Sequence, residues 1–172
     1  MPSPAGPPDA SSRLAEQAPR ALLELLRGVQ AADAASLSHL DPRHIHDGLL
    51  SVLLRLVFLL HAEARGLMPD TVTGIYLRLR ADADRDIIDQ RHGAWAALLS
   101  RFRLVHTGNA QVPAGGGRLF DPDSYPFLAG CSISDGALWR VLEALLVLDG
   151  ERLHYHGLDV EHIGAVHESL MG

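Results

Sequence analysis

The stretch LLSVLLRLVFLLHAEARGLMP, from Leu49 to Pro69, constrains the fold more than any other part of the sequence. Between Leu49 and Leu60 only Ser51 and Arg55 are polar. Because apolar side chains then lie on every side of a helix, other helices must surround the middle of that helix. The sequence therefore predicts an all-α fold, a compact multi-helix domain built around one long central apolar helix.

Flanking residues give the ends of this central helix. Asp41 followed by Pro42 indicates an N-cap and a first helical residue, while Gly66 with Pro69 just beyond it indicates the end. The apolar run is shorter than the roughly 20 residues that a membrane span needs. We therefore expect a core helix, no membrane association and a cytoplasmic location.

Arg55 lies in the middle of the helix and must find a partner there, since an unpaired buried charge costs several kcal/mol. Glu63 is eight residues further on, about 12 Å along the axis, and is too distant to be assumed as that partner. A carboxylate from another helix, or carbonyls of the loop from Gly115 to Pro122, would be better placed. Arg55 and Glu63 are thus candidate structural polar residues.

Composition distinguishes a proline-rich N-terminal segment from a single folded domain. Residues 1–18 open with MPSPAGPPDASS, which is rich in proline and is predicted to be disordered. Pro19 suits a first helical turn, and the leucine stripe after it predicts a helix that ends near Gln30. The remaining length fits one core, so residues 19–172 are predicted to form one helical domain.

Apolar spacing predicts further helices along this domain. They are expected over Val72 to Leu79, briefly around Ile87, over Gly93 to Val105, over Ser134 to Leu148, and from about Val160 to Met171. The Gly/Pro-rich connection from His106 to Cys131 is too long for an idle loop, so we expect it to be ordered. No convincing run of alternating apolar and polar residues, the pattern of a β-strand, is present in the sequence.

Charge and residue usage exclude several function classes. All fifteen basic residues are arginine, so a P-loop lysine, a Schiff-base lysine and the lysine of restriction-type nuclease centres are excluded. The net charge of −6 provides no general basic field for nucleic acid, so any DNA contact must be local. A single cysteine, Cys131, leaves no intrachain disulfide and no thiolate metal cluster.

Ten histidines raise the question of a metal site. Helix-borne sites commonly use two histidines at i and i+4 with a third ligand. His44 and His46 point to different sides, and His162 and His167 are about 140° apart around a helix. Surface or capping histidines are favoured, and no metal is expected. The triad from Gly115 to Gly117 follows no strand and starts no helix, so a phosphate cradle is not predicted.

Three blocks of sequence carry a resemblance to a known family. The blocks are LLRLVFLLHAEARGLMP (residues 53–69), VPAGGGRLFDPDSYPFL (112–128) and LHYHGLDVEHIGAVHESLMG (153–172). Together they resemble the helical region before the catalytic domain in large adenine-specific DNA methyltransferases of restriction and phage-defence systems. These include type IIG restriction-modification enzymes, BREX (PglX) methyltransferases and DISARM methylases. The resemblance covers the chain from about Ala21 onward.

The blocks are similar to the family pattern at most positions and depart from it at a few. The first ends in an acid, an arginine, glycine, leucine and proline, and the second has Gly-Gly before Leu-Phe-Asp-Pro. The third has a tyrosine, a leucine, Val-Glu and an Ile-Gly pair. His167 and Ser169 stand where the family has tyrosine and glycine, and Gly115 stands where asparagine is common.

The resemblance implies a noncatalytic scaffold that packs on a methyltransferase domain and helps position that domain on DNA. The chain has neither a glycine-rich turn for S-adenosylmethionine nor an Asn-Pro-Pro-Tyr motif for the flipped adenine, so we expect no enzyme activity and no cofactor in this chain. The methyltransferase domain, which would bind S-adenosylmethionine, would follow Gly172 or belong to a separate chain. The alternative is a free-standing helical module that binds protein or contacts DNA, the product of a split or truncated gene.

Two sets of residues are candidate contact sites. The surface toward the methyltransferase domain is predicted to comprise Tyr155, Leu158, Val160, Ile163, Val166 and Leu170. Without that domain the stripe would be exposed and would favour self-association. Candidate DNA contacts are Arg78, Arg80, Arg101, Arg103 and Arg118, although a solvated face shared with Asp82, Asp84 and Asp86 also explains the arginines. A metal-dependent nuclease is a third, less favoured alternative.

Overall fold

The computed structural model describes residues 10–82, 87–108 and 117–155. This part of the chain is mainly helical, so the predicted all-α class is confirmed. In chain order the elements are α1 (Ala10–Leu37), α2 (Pro42–Ala64), α3 (Val72–Asp82), a 3₁₀ turn (Ile88–Gln90), α4 (Gly93–Thr107), a second 3₁₀ turn (Gly117–Phe120), α5 (Phe127–Gly130), α6 (Asp135–Leu146), β1 (Val147–Leu148) and β2 (Glu151–Arg152). The predicted helix from about Val160 to Met171 lies outside the described residues.

Helix α2 begins and ends where the sequence predicts. The Asp41 side chain accepts a hydrogen bond of 2.8 Å from the backbone N–H of Arg43, which caps the first turn. At the other end Gly66 adopts a φ of 70°, and its N–H bonds to the carbonyl of Glu63. A left-handed residue is what a helix end of this type requires, and glycine adopts it without strain.

The apolar middle of α2 is enclosed by the rest of the fold. Its buried apolar side chains include Leu49, Leu50, Val52, Leu53, Leu56, Val57, Leu59 and Leu60. By length and composition alone α2 could cross a membrane, but 67% of its most apolar stretch is buried by the protein itself. This degree of burial is typical of a central core helix.

Helix α1 begins earlier than the sequence predicts. It starts at Ala10, so residues 10–18 are helical although composition predicts a disordered lead there; residues 1–9 lie outside the described part. Pro19 is inside the helix rather than in its first turn. Leu14 and Ala18 are fully buried on the same face as the later core residues of α1, and this packing extends the helix through the proline.

Helix α6 packs along α1 and is capped as predicted. The Ser134 hydroxyl accepts a hydrogen bond of 3.1 Å from the N–H of Ala137. The two helices approach closely at Gly28, where an added Cβ would lie 2.8 Å from the Cβ of Ala137. The Gln17 amide also donates to the carbonyl of Val147 at 3.4 Å, so α1 and α6 run in opposite directions.

The chain leaves α6 through a small β-hairpin that helical spacing does not predict. The predicted helix continues to Leu148, but α6 ends at Leu146 and the next two residues pair with β2 in antiparallel register. Asp149 and Gly150 have φ values of 53° and 80° between the strands. An Asp-Gly pair with both residues in the left-handed conformation is a strong signal for a β-hairpin. The prediction missed this signal because the helical spacing of apolar residues continues to Leu148.

The remaining elements close the core around α2. Trp95, Leu98 and Phe102 of α4 are buried as predicted, whereas Leu99 is partly exposed. The predicted ordered connection between α4 and α6 contains the second 3₁₀ turn and α5, with residues 109–116 outside the described part. The described part of the second sequence block, residues 117–128, therefore precedes α6, and the described start of the third block, residues 153–155, follows the hairpin after α6.

Candidate functional site

The candidate site is the region around α2 where the second block and the start of the third block contact the first, and Arg55 joins the first block to the second. Its side chain is only 3% exposed. The Nε atom donates to the carbonyl of Leu119 at 2.7 Å, and Nη2 donates to the carbonyl of Asp121 at 3.4 Å. The partners of Arg55 are thus loop carbonyls, while Glu63 lies elsewhere.

An aromatic ring and the charge of Asp121 also lie near Arg55. Its guanidinium carbon lies 5.2 Å from the centre of the Phe102 ring, a cation–π distance. Burial lowers the pKa of Arg55 from its usual value, although an arginine stays charged at neutral pH because that value is so high. A buried cation held by carbonyl dipoles and a ring face fixes the loop, and the nearby charge of Asp121 partly offsets the effect of burial on the pKa of Arg55.

An aromatic cluster beside Arg55 anchors the same loop. Phe120 is 1% exposed, and its ring centre is 5.4 Å from that of Phe58 and 5.8 Å from that of Phe102. Both pairs are edge-to-face, the arrangement that aromatic quadrupoles prefer. The Leu-Phe-Asp-Pro part of the second block therefore inserts one aromatic side chain and presents two carbonyls to the first block.

The third block begins at the C-terminal end of α2. Tyr155 is 4% exposed, and its hydroxyl donates to the carbonyl of Leu145 at 2.8 Å. Its own carbonyl lies 3.3 Å from Nδ1 of His61 in the first block. Burial raises the pKa of Tyr155 above its usual range. The first block and the described start of the third block are thus in direct contact.

This placement corrects one expectation about the partner surface. The sequence predicts Tyr155 on an exposed stripe, but it packs into the domain and offers no surface to a partner. Spacing within the block could not reveal this, because the preceding hairpin sets the direction in which Tyr155 points. The other five residues of the predicted surface lie outside the described residues: Leu158, Val160, Ile163, Val166 and Leu170.

Glu63, also in the first block, fixes the start of α3. Its side chain is 6% exposed and accepts hydrogen bonds from the backbone N–H groups of Thr71, Val72 and Thr73, the latter two at 2.6 and 3.2 Å. The Thr73 hydroxyl donates to it at 3.0 Å. A carboxylate at a helix start satisfies free N–H groups and complements the helix dipole.

The five arginines predicted to contact DNA are distributed over three elements. Arg78 and Arg80 are on α3, Arg101 and Arg103 are on α4, and Arg118 is in the second 3₁₀ turn; Arg101 is half-buried and the others are exposed. Residues that are two positions apart on a helix lie about 200° apart around its axis. Arg78 and Arg80 therefore lie on different faces of α3, and Arg101 and Arg103 lie on different faces of α4. None of the five forms an ion pair within the described ranges.

Arg103 and Arg118 are nevertheless neighbours of the same aromatic residue. Arg103 and Tyr125 line a small cavity over Arg55, and Arg118 and Tyr125 line the adjoining cleft of 410 Å³. Two exposed arginines therefore each share a cavity wall with Tyr125. Sequence spacing could not bring them together, because they are on separate elements.

A buried polar contact that the sequence does not suggest joins α3 to α6. Tyr76 is 1% exposed and donates its hydroxyl to Glu143 at 2.6 Å. The guanidinium of Arg152, from the hairpin, lies 5.8 Å from the centre of the Tyr76 ring. Burial and the bond to Glu143 raise the pKa of Tyr76 to about 12. No signal in the local sequence connects these residues.

The histidines make separate contacts. Among the described residues no three His, Cys, Asp or Glu side chains lie together as a metal site would require. His44 packs against the rings of Tyr125 and Phe127, each with centres 5.4 Å away, and His92 lies 3.1 Å from the Ser132 hydroxyl. His162 and His167 are outside the described part of the chain.

Comparison with known proteins was made by sequence and by fold. No protein-family model, no curated protein and no solved structure matches this chain. The likeness to DNA methyltransferases therefore rests on the three blocks, and it remains a prediction.

We expect Arg55→Ala to lower the free energy of unfolding by about 3 kcal/mol, because it opens a cavity and leaves buried carbonyls without donors. Urea denaturation of the full chain measures this decrease. The matched control is Arg103→Ala, an exposed arginine on α4, with an expected change within about 0.5 kcal/mol. Equal effects of the two substitutions would contradict a structural role for Arg55.

Proposed function

We propose that this chain is the noncatalytic helical scaffold of a DNA adenine methyltransferase or restriction-modification protein. It packs on the catalytic domain and helps position that domain on DNA in the cytoplasm. The observation that supports this proposal best is that the first block, most of which lies in α2, contacts both the second block and the described start of the third, residues 153–155. Arg55 reaches across 64 positions of sequence to the second block, and His61 across 94 positions to the third.

The buried contacts explain why such blocks would occur together. A polar group that is buried without its partner costs roughly 1–3 kcal/mol, so removal of one block would destabilise the others. Arg55 needs the loop carbonyls, and Glu63 needs the start of α3. Because these segments depend on one another for buried hydrogen bonds, we expect the domain to fold as a whole. A rigid scaffold beside a catalytic domain needs this cooperativity.

The division of roles follows from the chemistry of adenine methylation. The flipped base and S-adenosylmethionine need a pocket and motifs that this sequence does not contain, so the methyltransferase domain, in the same chain or in a separate one, would supply them. A scaffold contributes by holding that domain and the DNA in a fixed relative position. The cofactor would therefore bind the partner domain.

The proposal predicts that this chain is required for methylation by its partner. Coexpression with the methyltransferase encoded beside or downstream of the Gly172 codon should give a complex that co-purifies. Methylated adenine in plasmid DNA should increase at least about tenfold when this chain is present, because positioning supplies part of the rate enhancement. Mass spectrometry of DNA hydrolysates measures the increase.

The control is the same coexpression with the Arg55→Ala variant, whose scaffold is destabilised. Methylation that is equally strong without this chain would contradict the scaffold role. So would a methyltransferase that does not associate with it.

A second candidate function, direct DNA contact, is favoured by one observation. Arg103 and Arg118 line two cavities that share Tyr125, and they form no ion pairs within the described residues. Phosphate contacts by exposed arginines give affinity that falls with salt concentration. A free-standing module would use the same surface, so this candidate can coexist with the scaffold or replace it.

We expect the double variant Arg103→Ala, Arg118→Ala to reduce the salt slope of duplex DNA binding by about two, because each arginine would neutralise one phosphate group. Fluorescence anisotropy at several salt concentrations measures the slope. Arg27→Ala, an exposed arginine on α1 that is not among the candidate contacts, is the control and should leave the slope unchanged. Identical slopes for all variants, or no binding by the natural chain, would exclude this candidate.

A further inference from the structure

The Tyr125 cleft is a depression of 410 Å³ between the N-terminal half of α2 and the loop before α5. This size is within the range of small-ligand pockets, roughly 300–1,000 Å³. Its lining combines an apolar part with a polar part. The apolar part includes Leu50, Leu54 and Leu119, and the polar part includes Asp47, Arg118 and Tyr125.

The walls of the Tyr125 cleft are held in place by contacts that need no ligand. The Leu119 carbonyl accepts the hydrogen bond of 2.7 Å from Arg55, which ties the loop to α2. The Tyr125 ring packs beside His44, with ring centres 5.4 Å apart, and a Cβ added to Gly48 would lie 3.3 Å from the Tyr125 ring. A site that is formed before its ligand arrives avoids the entropic cost of ordering a loop on binding.

Tyr125 gives the cleft an aromatic surface. Its side chain is half-buried, so part of the residue still borders the cleft. Flat heterocyclic bases stack on such rings, because every base has a π-face. Leu50 and Leu54 add apolar surface on the α2 side. The cleft therefore favours a flat aromatic ligand over a sugar.

Asp47 supplies a hydrogen-bond acceptor on the α2 side. Its side chain is 45% exposed, and Oδ1 lies 3.4 Å from Nδ1 of His46. Oδ2 accepts no hydrogen bond from any residue that the structure describes. A carboxylate only accepts, and guanine is the base that offers two adjacent donors, N1–H and the 2-amino group, on its Watson–Crick edge. Adenine presents an acceptor, N1, at the centre of that edge and would be repelled.

A cation on the loop side completes the set of groups. Arg118 is exposed and has no ion pair in the described part of the chain. A guanidinium group binds phosphate oxygens with two parallel N–H donors. We infer that the Tyr125 cleft binds a guanine nucleotide: Tyr125 stacks on the base, Asp47 accepts hydrogen bonds from its edge, and Arg118 binds its phosphate group. A free nucleotide and an unstacked guanine in a nucleic-acid strand both present this chemistry.

This inference does not rest on the scaffold role. For a guanine in a DNA strand it rests on the second candidate function, direct DNA contact, and deepens it by naming the base. The two are measured by different quantities. The salt slope of duplex binding reports phosphate contacts, whereas the preference for one base reports Asp47 and the affinity for any base reports Tyr125. A free nucleotide would bind even if duplex DNA does not.

Titration calorimetry with mononucleotides tests the role of Asp47. The natural chain should bind dGMP about tenfold tighter than dAMP, because an edge matched by two hydrogen bonds discriminates by that order. Deoxyinosine monophosphate, which lacks the 2-amino group, should bind about fivefold weaker than dGMP. Asp47→Asn should reduce the preference for dGMP to within about twofold, because an amide also donates. Asp123→Asn, an exposed residue of the same loop that does not line the cleft, is the matched control and should keep the preference.

A second pair of variants tests the stacking role of Tyr125. Tyr125→Leu should weaken the binding of dGMP and dAMP alike, by about fivefold or more, because stacking contributes to every base. Tyr125→Phe keeps the ring and should bind both nucleotides more tightly than Tyr125→Leu. Urea denaturation confirms that each variant is folded, and the Asp47 test is independent of this pair.

Short single strands identify the source of the guanine. A pentanucleotide TTGTT that binds tighter than both dGMP and TTATT assigns the cleft to nucleic acid, whereas dGMP that binds at least as tightly as TTGTT assigns it to a free nucleotide. No binding of either dGMP or TTGTT would overturn the inference. So would equal affinity of the natural chain for guanine and adenine, or a preference for guanine that persists in Asp47→Asn.

Discussion

The charge of Arg55 in the middle of an apolar helix obliges the chain to bring oxygen atoms to it. Those oxygen atoms come from the Leu119 and Asp121 carbonyls, 64 and 66 positions away. Meeting this requirement places Phe120 between Phe58 and Phe102, and it sets the course of the loop before α5. The rest of the core can then close around α2 without an unpaired buried charge.

Polar contacts of the same kind fix the other end of α2. Glu63 holds the start of α3, and His61 faces the carbonyl of Tyr155 where the third block begins. Helix α2 therefore contacts three separated parts of the sequence. Each contact uses backbone groups of the partner segment, so the partner side chains can vary while the path of the chain is kept.

Features with local chemistry could be predicted from the sequence. The caps of α2 and α6, the apolar central helix, most inward residues of α4 and the need of Arg55 for a partner all follow from residues close together in the chain. Features that depend on tertiary packing could not. Proline by itself indicates the start of a helix. Pro19 nevertheless lies inside α1, because the burial of Leu14 and Ala18 extends the helix before it.

Candidate contact residues were harder to predict than the core. The inward direction of Tyr155 depends on the Asp149-Gly150 turn, whereas helical spacing extends α6 to Leu148. The candidate arginines of each helix are close in sequence, but helix geometry separates each pair. Arg103 and Arg118, from separate elements, instead line cavities that share Tyr125. Function in this chain depends on the surfaces left after packing, and spacing alone does not show those surfaces.

Amide hydrogen exchange in an Arg55→Leu variant tests most directly whether Arg55 holds the second block on α2. Leucine keeps the apolar volume but removes the donors to the loop. Backbone amides between Arg118 and Leu128 should then exchange about tenfold faster, equivalent to about 1.4 kcal/mol of local stability, while α6 keeps its protection. Unchanged exchange in the loop, or an equal decrease of protection throughout the domain, would contradict the account.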